Sequence, residues 1–421
     1  MTAEVCIMNR LAAVLAADSA TTVTRWVDGE EEKRYFKGAN KVFQLSDKHP
    51  VGLMIFDSAA ILNVPWEIII KTFRSNLGDK SFNTVEEYAR ELFAFLNDSS
   101  FFFPEEVQTE QVLGPAKAIA IGMISEAIDG LDAAEHADAI EAAFSARRDE
   151  LASVDVSSCL GVEHMEKTIQ DLRERMEIFI TEFSSAMKWQ LPGDVKSIAE
   201  TCLADVVKNP DIHLGTTGLV FAGFGDHEIF PAMVEYLSCG VVGGKHIYRR
   251  ESGMAIDHET PAWLSAFAQT SMTDTFSMGL SQDVYESMAV AISENLHGFA
   301  SQISEAAGGD ISVIDDLEGL VQATRSKIGK SVLDNARKEH SFPLRRVIGV
   351  LPVDEMAELA ETLITLQSLK EKVTKPSETV GGPVDVAVIT KHEGLVWIKR
   401  KHFFNLDINS RYSLRQAALH S

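Results

Sequence analysis

The run Thr2-Ala3-Glu4-Val5-Cys6-Ile7-Met8-Asn9-Arg10-Leu11-Ala12-Ala13-Val14-Leu15-Ala16-Ala17-Asp18-Ser19-Ala20-Thr21-Thr22 decides how the chain is read. Two short apolar strands are joined by Asn9-Arg10, and the second ends on the carboxylate of Asp18. After a polar excursion, Lys37-Gly38-Ala39-Asn40-Lys41-Val42 brings in a lysine. A threonine stands directly behind Met1. Initiator methionine is usually trimmed before a small residue, and trimming would leave Thr2 with a free α-amine beside its own hydroxyl. A threonine hydroxyl alone is a poor nucleophile, but an amine with a pKa of about 8 can take its proton near neutral pH. A buried Asp–Lys pair would tune that amine and hold the hydroxyl in line, and Asp18 and Lys41 are the candidates. Each feature by itself is ordinary: many chains begin Met-Thr, an Asp at a strand end usually forms a turn, and a loop lysine is usually solvated. The order and spacing of the three together carry the chemistry.

The stretch resembles the start of a proteasome β subunit, an N-terminal nucleophile (Ntn) hydrolase, and is similar also to the bacterial proteasome-like peptidase that works with a ring ATPase. That family opens with Thr, two strands, then Asp, a small residue and Thr, with a Lys-Val or Lys-Ile later. Thr2 to Thr22 fits without a gap. The resemblance places Thr2 on the nucleophile, Asp18 and Lys41 on its tuning pair, and Thr22 on the threonine whose backbone lines the substrate cleft. Lys37 is the alternative to Lys41, because the loop between 24 and 37 is longer than usual. Met54 falls on the residue lining the specificity pocket. Phe56 falls where a glycine would donate the oxyanion-hole N–H, and its side chain there puts ordinary peptidase activity in question. Ser271 stands in for a supporting serine, and Glu378 for a supporting acid that the chain otherwise lacks.

Composition sets outer bounds. The 421 residues, 45% of them hydrophobic, suffice for one large domain or two ordinary ones. A net charge of −23 disfavours nucleic acid and anionic membrane as partners. Cys6, Cys159, Cys202 and Cys239 are far apart, with no C-x-x-C, so neither a zinc ribbon nor a redox pair is suggested. Reduced cytosol is the expected compartment. No apolar run reaches membrane-spanning length. Asp226-His227-Glu228 reads as a polar turn rather than a metal site, so no metal or cofactor is expected.

Further along, strands are expected at 42–45 and 51–56, and helices at 58–76 and at 84–97, the latter capped by Asn83. The stretch 100–190 reads as helical throughout (111–131, 133–154, 162–188), either a packed helical insertion or a mobile coiled arm. A helix at 194–209 is followed by strands at 218–225, 230–237 and 241–249 and a short helix at 272–279. A second helical region is broken at Gly308-Gly309-Asp310. An amphipathic helix at 352–373 precedes a strand carrying Val384, Val386 and Val388, a turn at Lys391-His392-Glu393-Gly394, and a returning strand at 395–399.

The fold expected is α+β, a four-layer α/β/β/α sandwich of the Ntn-hydrolase type with large helical insertions. Its core lies at 1–99, 191–281 and 350–400, its insertions at 100–190 and 282–349, and a tail at 401–421. The function expected is hydrolysis of peptide or amide bonds through an acyl-enzyme at Thr2. The alternative is a non-catalytic structural or regulatory subunit of a proteasome-like assembly. An acylase for small amides is a third reading. The resemblance implies a peptide or small-amide substrate and a homo-oligomer, in ring form for most of the family. It leaves open the ring size and whether an ATPase partner exists.

Overall fold

The structure is a computed structural model that describes residues 2–27, 30–306, 316–374, 380–405 and 407–419. The chain opens with β1 (Ala3–Asn9), β2 (Ala12–Ala17), β3 (Ala20–Val27), β4 (Glu30–Lys37), β5 (Val42–Gln44) and β6 (Val51–Asp57). A two-residue pair, β7 (Ala60–Ile61) and β8 (Val64–Pro65), leads into α1 (Trp66–Leu77) and α2 (Val85–Asp98). Then come α3 (Glu105–Ala127), α4 (His136–Ala152), α5 (Val162–Met187), α6 (Val195–Lys208) and the short α7 (Pro210–His213). Strands β9 (Thr217–Gly223), β10 (Ala232–Val242), β11 (Lys245–Ala255) and β12 (Ala262–Ala268) precede α8 (Ser271–Met278), α9 (Gln282–Ala306) and α10 (Leu317–Ala336). The end of the chain holds α11 (Phe342–Ile348), α12 (Val353–Thr374), β13 (Asp385–Thr390), β14 (Gly394–Lys399) and α13 (Ser410–Leu419). The architecture is therefore mixed: antiparallel sheets with many helices.

The chain divides into two compact units. One comprises Met1–Met54, Ala222–Ala232 and Met254–Ser421; the other comprises Ile55–Phe221 and Met233–Gly253. The first unit is built on a five-stranded sheet of order β12-β1-β2-β13-β14. β1 pairs antiparallel with both β12 and β2, and β2 pairs antiparallel with β13. Every residue of β1 and β2 is buried, which explains why residues 5–8 and all of β2 are apolar without alternation. On one face Val5, Ile7, Val14, Ala16, Val386 and Val388 meet Met356, Ala360, Leu363 and Ile364 of α12. On the other, Leu15 and Ile389 close over Gly52 of β6, where a Cβ would lie 2.9–3.1 Å from their terminal carbons. Within this unit the layers run helix, sheet, then the β5–β6 ladder. The β1–β2 turn is fixed by Asn9, whose Oδ1 accepts from Leu11 and Ala12 N–H while its Nδ2 donates to the carbonyls of Ile348 and Leu351.

The second unit gathers α3, α5 and α6 around one core. Val112, Leu113, Ala116, Phe144, Met176, Ile180, Cys202, Leu203 and Val206 pack together with Cys239, Val242 and Ile247 of the β10–β11 hairpin. The helices between 100 and 190 are thus a packed bundle, not a free arm. β10 and β11 turn at Gly243-Gly244, both at positive φ (56° and 84°), the backbone that a two-residue hairpin needs.

Several local expectations are corrected. Residues 24–27 and 30–37 belong to the paired strands β3 and β4 rather than to a loop, in register from Ala20↔Lys37 to Val27↔Glu30. The Thr22-Val23-Thr24 run of β3, rich in β-branched residues, favours a strand. The helix expected from 58 starts only at Trp66, because Leu62 and Asn63 adopt positive φ in the β7–β8 turn and Pro65 immediately precedes the helix. Thr84, not Asn83, caps α2, its side chain accepting from Glu87 N–H, while the Glu87 carboxylate accepts from Asn83 N–H. Val241 and Val242 close β10, and β11 starts only at Lys245. Gly308-Gly309-Asp310 lies outside the described residues. The Asp226–Glu228 turn is clasped by its own chain: Glu228 accepts from Gly225 N–H, and Lys391 Nζ donates to the Glu228 carbonyl.

Gly218 in the second unit has no room for a side chain, since a Cβ would come 2.0–2.3 Å from ring atoms of Phe56. Gly218→Ala is expected to cost about 2–3 kcal/mol by overpacking. In urea unfolding, the combination with Phe56→Leu should cost about 1 kcal/mol less than the sum of the two single changes.

Candidate functional site

The site starts from a buried carboxylate at the end of β2. Asp18 is 1% exposed, and Lys41 and Thr2 are each 4% exposed. Asp18 Oδ1 accepts from the N–H of the Thr2–Ala3 peptide at 3.1 Å and from Lys41 Nζ at 2.6 Å. Asp18 Oδ2 accepts from Ala20 N–H at 3.1 Å and from Gly381 N–H at 2.8 Å. One carboxylate therefore has four donors, three of them backbone. A buried ion pair survives only when its remaining lone pairs are satisfied, and here backbone amides offset the loss of water.

Local sequence explains the convergence. β1 and β2 are antiparallel, so the first residue of β1 lies opposite the residue after β2, and Asp18 N–H closes the ladder on Ala3 O at 3.1 Å. The stretch Gly381-Gly382-Pro383 then wraps the corner. Gly381 sits at φ 151° and Gly382 at 82°, conformations that side-chain-bearing residues rarely adopt. That backbone aims Gly381 N–H at Asp18 while Gly381 O accepts from Ser19 N–H. Thr2 itself is pinned through its carbonyl, which accepts from Gln269 N–H at 2.9 Å, yet its buried Oγ1 has no hydrogen-bond partner among the described residues. Buried hydroxyls are nearly always bonded, so this one calls for an explanation.

The other sequence candidates distribute unevenly. Lys41 reaches Asp18; Lys37 is exposed, its side chain lying against Gly382. Thr22 is half-buried on β3, opposite Tyr35, and its Oγ1 also has no partner among the described residues. Met54 is fully buried and pairs with Val42. Phe56 belongs to the second unit, packed over Gly218. Ser271 is engaged by α12: it accepts from Lys370 Nζ at 2.7 Å and donates to Gln367 Oε1 at 3.2 Å. Glu378 lies outside the described residues. The backbone donors of Ala3, Ala20 and Gly381 were missed in the sequence, which shows side chains and not where an amide points; Gly-Gly-Pro was the one available signal.

A second polar centre lies in the core of the second unit. His246 Nε2 and Ser238 Oγ are 2.7 Å apart, and both residues are 1% exposed. Burial pushes the His246 imidazole down to about 3, so it is neutral in the native state. Full enclosure makes this pair a packing element, stacked against Tyr248 and tilted on Phe93. The buried thiols of Cys6 and Cys239 are pushed up to about 12 by the same desolvation and are inert.

No protein-family model and no curated protein matches the chain. Among solved structures, the Anbu (Gly-1) mutant from Hyphomicrobium sp. strain MC1 aligns with 99% of this chain and 96% of its own, at 9% identity and a TM-score of 0.25. A likeness that slight carries no argument. The resemblance to proteasome β subunits and the bacterial proteasome-like peptidase is accordingly corrected: its specific motifs lay in the opening block, and with the agreement of order read further along they did not amount to a match over the chain. No helix among the described residues is long and apolar enough to cross a membrane.

Removing Asp18 with Asp18→Ala would strand the Lys41 ammonium in the interior and should cost about 3–5 kcal/mol in chemical denaturation. Lys41→Met, which leaves Asp18 its three backbone donors, should cost less. A separate signature comes from His246. Below its ordinary value of 6.5 the unfolded imidazole takes a proton that the native one refuses down to about 3. Stability should therefore fall as pH drops through that window, by up to about 1.4 kcal/mol per pH unit, and His246→Phe should flatten the slope.

Proposed function

We propose that the chain is a threonine-type hydrolase of peptide or small amide bonds that works through Thr2 once Met1 is removed. One observation carries the reading: Asp18 Oδ1 is shared between the amide immediately after Thr2 and the Nζ of Lys41. The Asp18–Lys41 pair is thereby tied to the peptide that follows Thr2, whose own buried hydroxyl has no hydrogen-bond partner among the described residues. The free α-amine of Thr2 takes the hydroxyl proton as Oγ1 attacks the substrate carbonyl. The same proton passes to the departing amine, leaving an ester on Thr2. Water, deprotonated by the α-amine, then cleaves the ester and restores the hydroxyl. The Lys41 charge favours the neutral form of the α-amine at working pH and stabilises negative charge developing at the reacting centre. Asp18 holds Lys41 in place through the 2.6 Å contact to its Nζ. Thr22, with its free hydroxyl on the adjoining strand, is assigned to the cleft wall.

The test is intact-mass measurement of purified protein before and after incubation with a β-lactone. The expected result is loss of Met1 and one adduct, mapped to Thr2 and absent in Thr2→Ala. Lys41→Ala should lower the rate of adduct formation by about 10²-fold or more while the fold is retained. Retention of Met1 leaves Thr2 without its base and overturns the reading.

A further inference from the structure

The α9–α10 pair in the first unit makes an open-faced hairpin. Its helices run antiparallel: Tyr285 lies against Gly329 near one end, and His297 Nε2 is 3.3 Å from Glu318 near the other. Between them is a groove of about 430 Å³, floored by Met288, Ile292 and Leu333 and rimmed by Arg325, Lys330 and Arg337. Apolar side chains on both helices stay in solvent, with Phe299 at 60%, Leu320 at 56% and Ile303 at 51% exposure. Two helices cannot bury apolar stripes on both of their faces; four can.

Charge distinguishes the occupant. Helix α9 carries Asp283, Glu286, Glu294 and Glu305 and no lysine or arginine, whereas residues 325–346 carry seven lysines and arginines against Asp334 and Glu339. That basic segment stands out in a chain of net charge −23. An isologous two-fold contact sets the acidic α9 of one copy against the basic rim of α10 on the other, twice over, while the apolar stripes close in the middle. The same −23 disfavours a nucleic acid on this rim. We infer that the α9–α10 hairpin docks a second copy of this chain, completing a four-helix bundle between the two. This inference does not rest on the chemistry of Thr2.

The test uses the full chain in two charge-reversed forms, Lys330→Glu/Arg337→Glu and Glu286→Lys/Glu294→Lys, all at exposed positions. Sedimentation equilibrium should give an even-numbered assembly for the unaltered chain. Each reversed form should dissociate about tenfold or more readily at low salt, because like charges then face each other in both halves of the contact. An equimolar mixture of the two should restore the assembly, since each acidic rim again meets a basic one. Circular dichroism melts establish that the variants are folded, and the single changes Lys330→Glu and Glu294→Lys replace any pair that is not. A monomeric unaltered chain, an assembly indifferent to both reversals, or a mixture of folded variants that fails to reassociate would each overturn the inference.

Discussion

A carboxylate that is 1% exposed must be met by donors within the protein, and Asp18 is met by four. Each donor comes from a different part of the chain: the start of β1, the residue after Ser19, the lysine before β5, and the glycine before β13. Losing any one would leave buried charge or a buried lone pair unsatisfied, at a cost comparable to a large share of a domain's net stability. The corner of the sheet is thus specified electrostatically as well as by packing. It also explains why Gly381 stands where it does, since its N–H reaches Asp18 only from a backbone conformation that other residues resist.

Around that corner the first unit is built for dryness. β1 and β2 are covered on both faces, by α12 on one and by Gly52 of β6 on the other. A site walled in this way strengthens every charge interaction inside it. Within it, Thr2 Oγ1 has no hydrogen-bond partner among the described residues, an unusual state for a buried hydroxyl. The second unit spends its polar groups differently: the Ser238–His246 pair is sealed among aromatic rings and holds the core together without access to anything that could react.

The helical portions follow a simpler rule. Where an apolar stripe found neighbours, as α3, α5 and α6 did, it disappeared into a common core. Where the stripe has few helical neighbours, as in α9–α10, large apolar side chains remain in solvent beside a concentrated basic rim. The contrast is one of helix number: two packed cylinders touch along a single line.

Much of the first unit could be read from sequence. The apolar runs 5–8 and 11–17 gave strands, and the spacing of Lys41 pointed to the carboxylate it pairs with, Asp18. The α12–β13–β14 order was legible from heptad-like and alternating patterns, both of which are local. Hairpin and cap errors at 24–37, 58–65 and 83–84 arose where turn dipeptides and capping boxes were undervalued against a familiar pattern. What the sequence by itself determined about this protein is which segments are strands or helices and which residue types could react, because periodicity and side-chain chemistry are written locally. Only the tertiary structure decided that Asp18 would be shared by Lys41 and three distant amides, that Ser271 would be held by Lys370 and Gln367, and that Phe56 would fill the space above Gly218. Those outcomes depend on where backbone N–H groups and ring faces end up after residues hundreds apart have packed, and no local pattern encodes that.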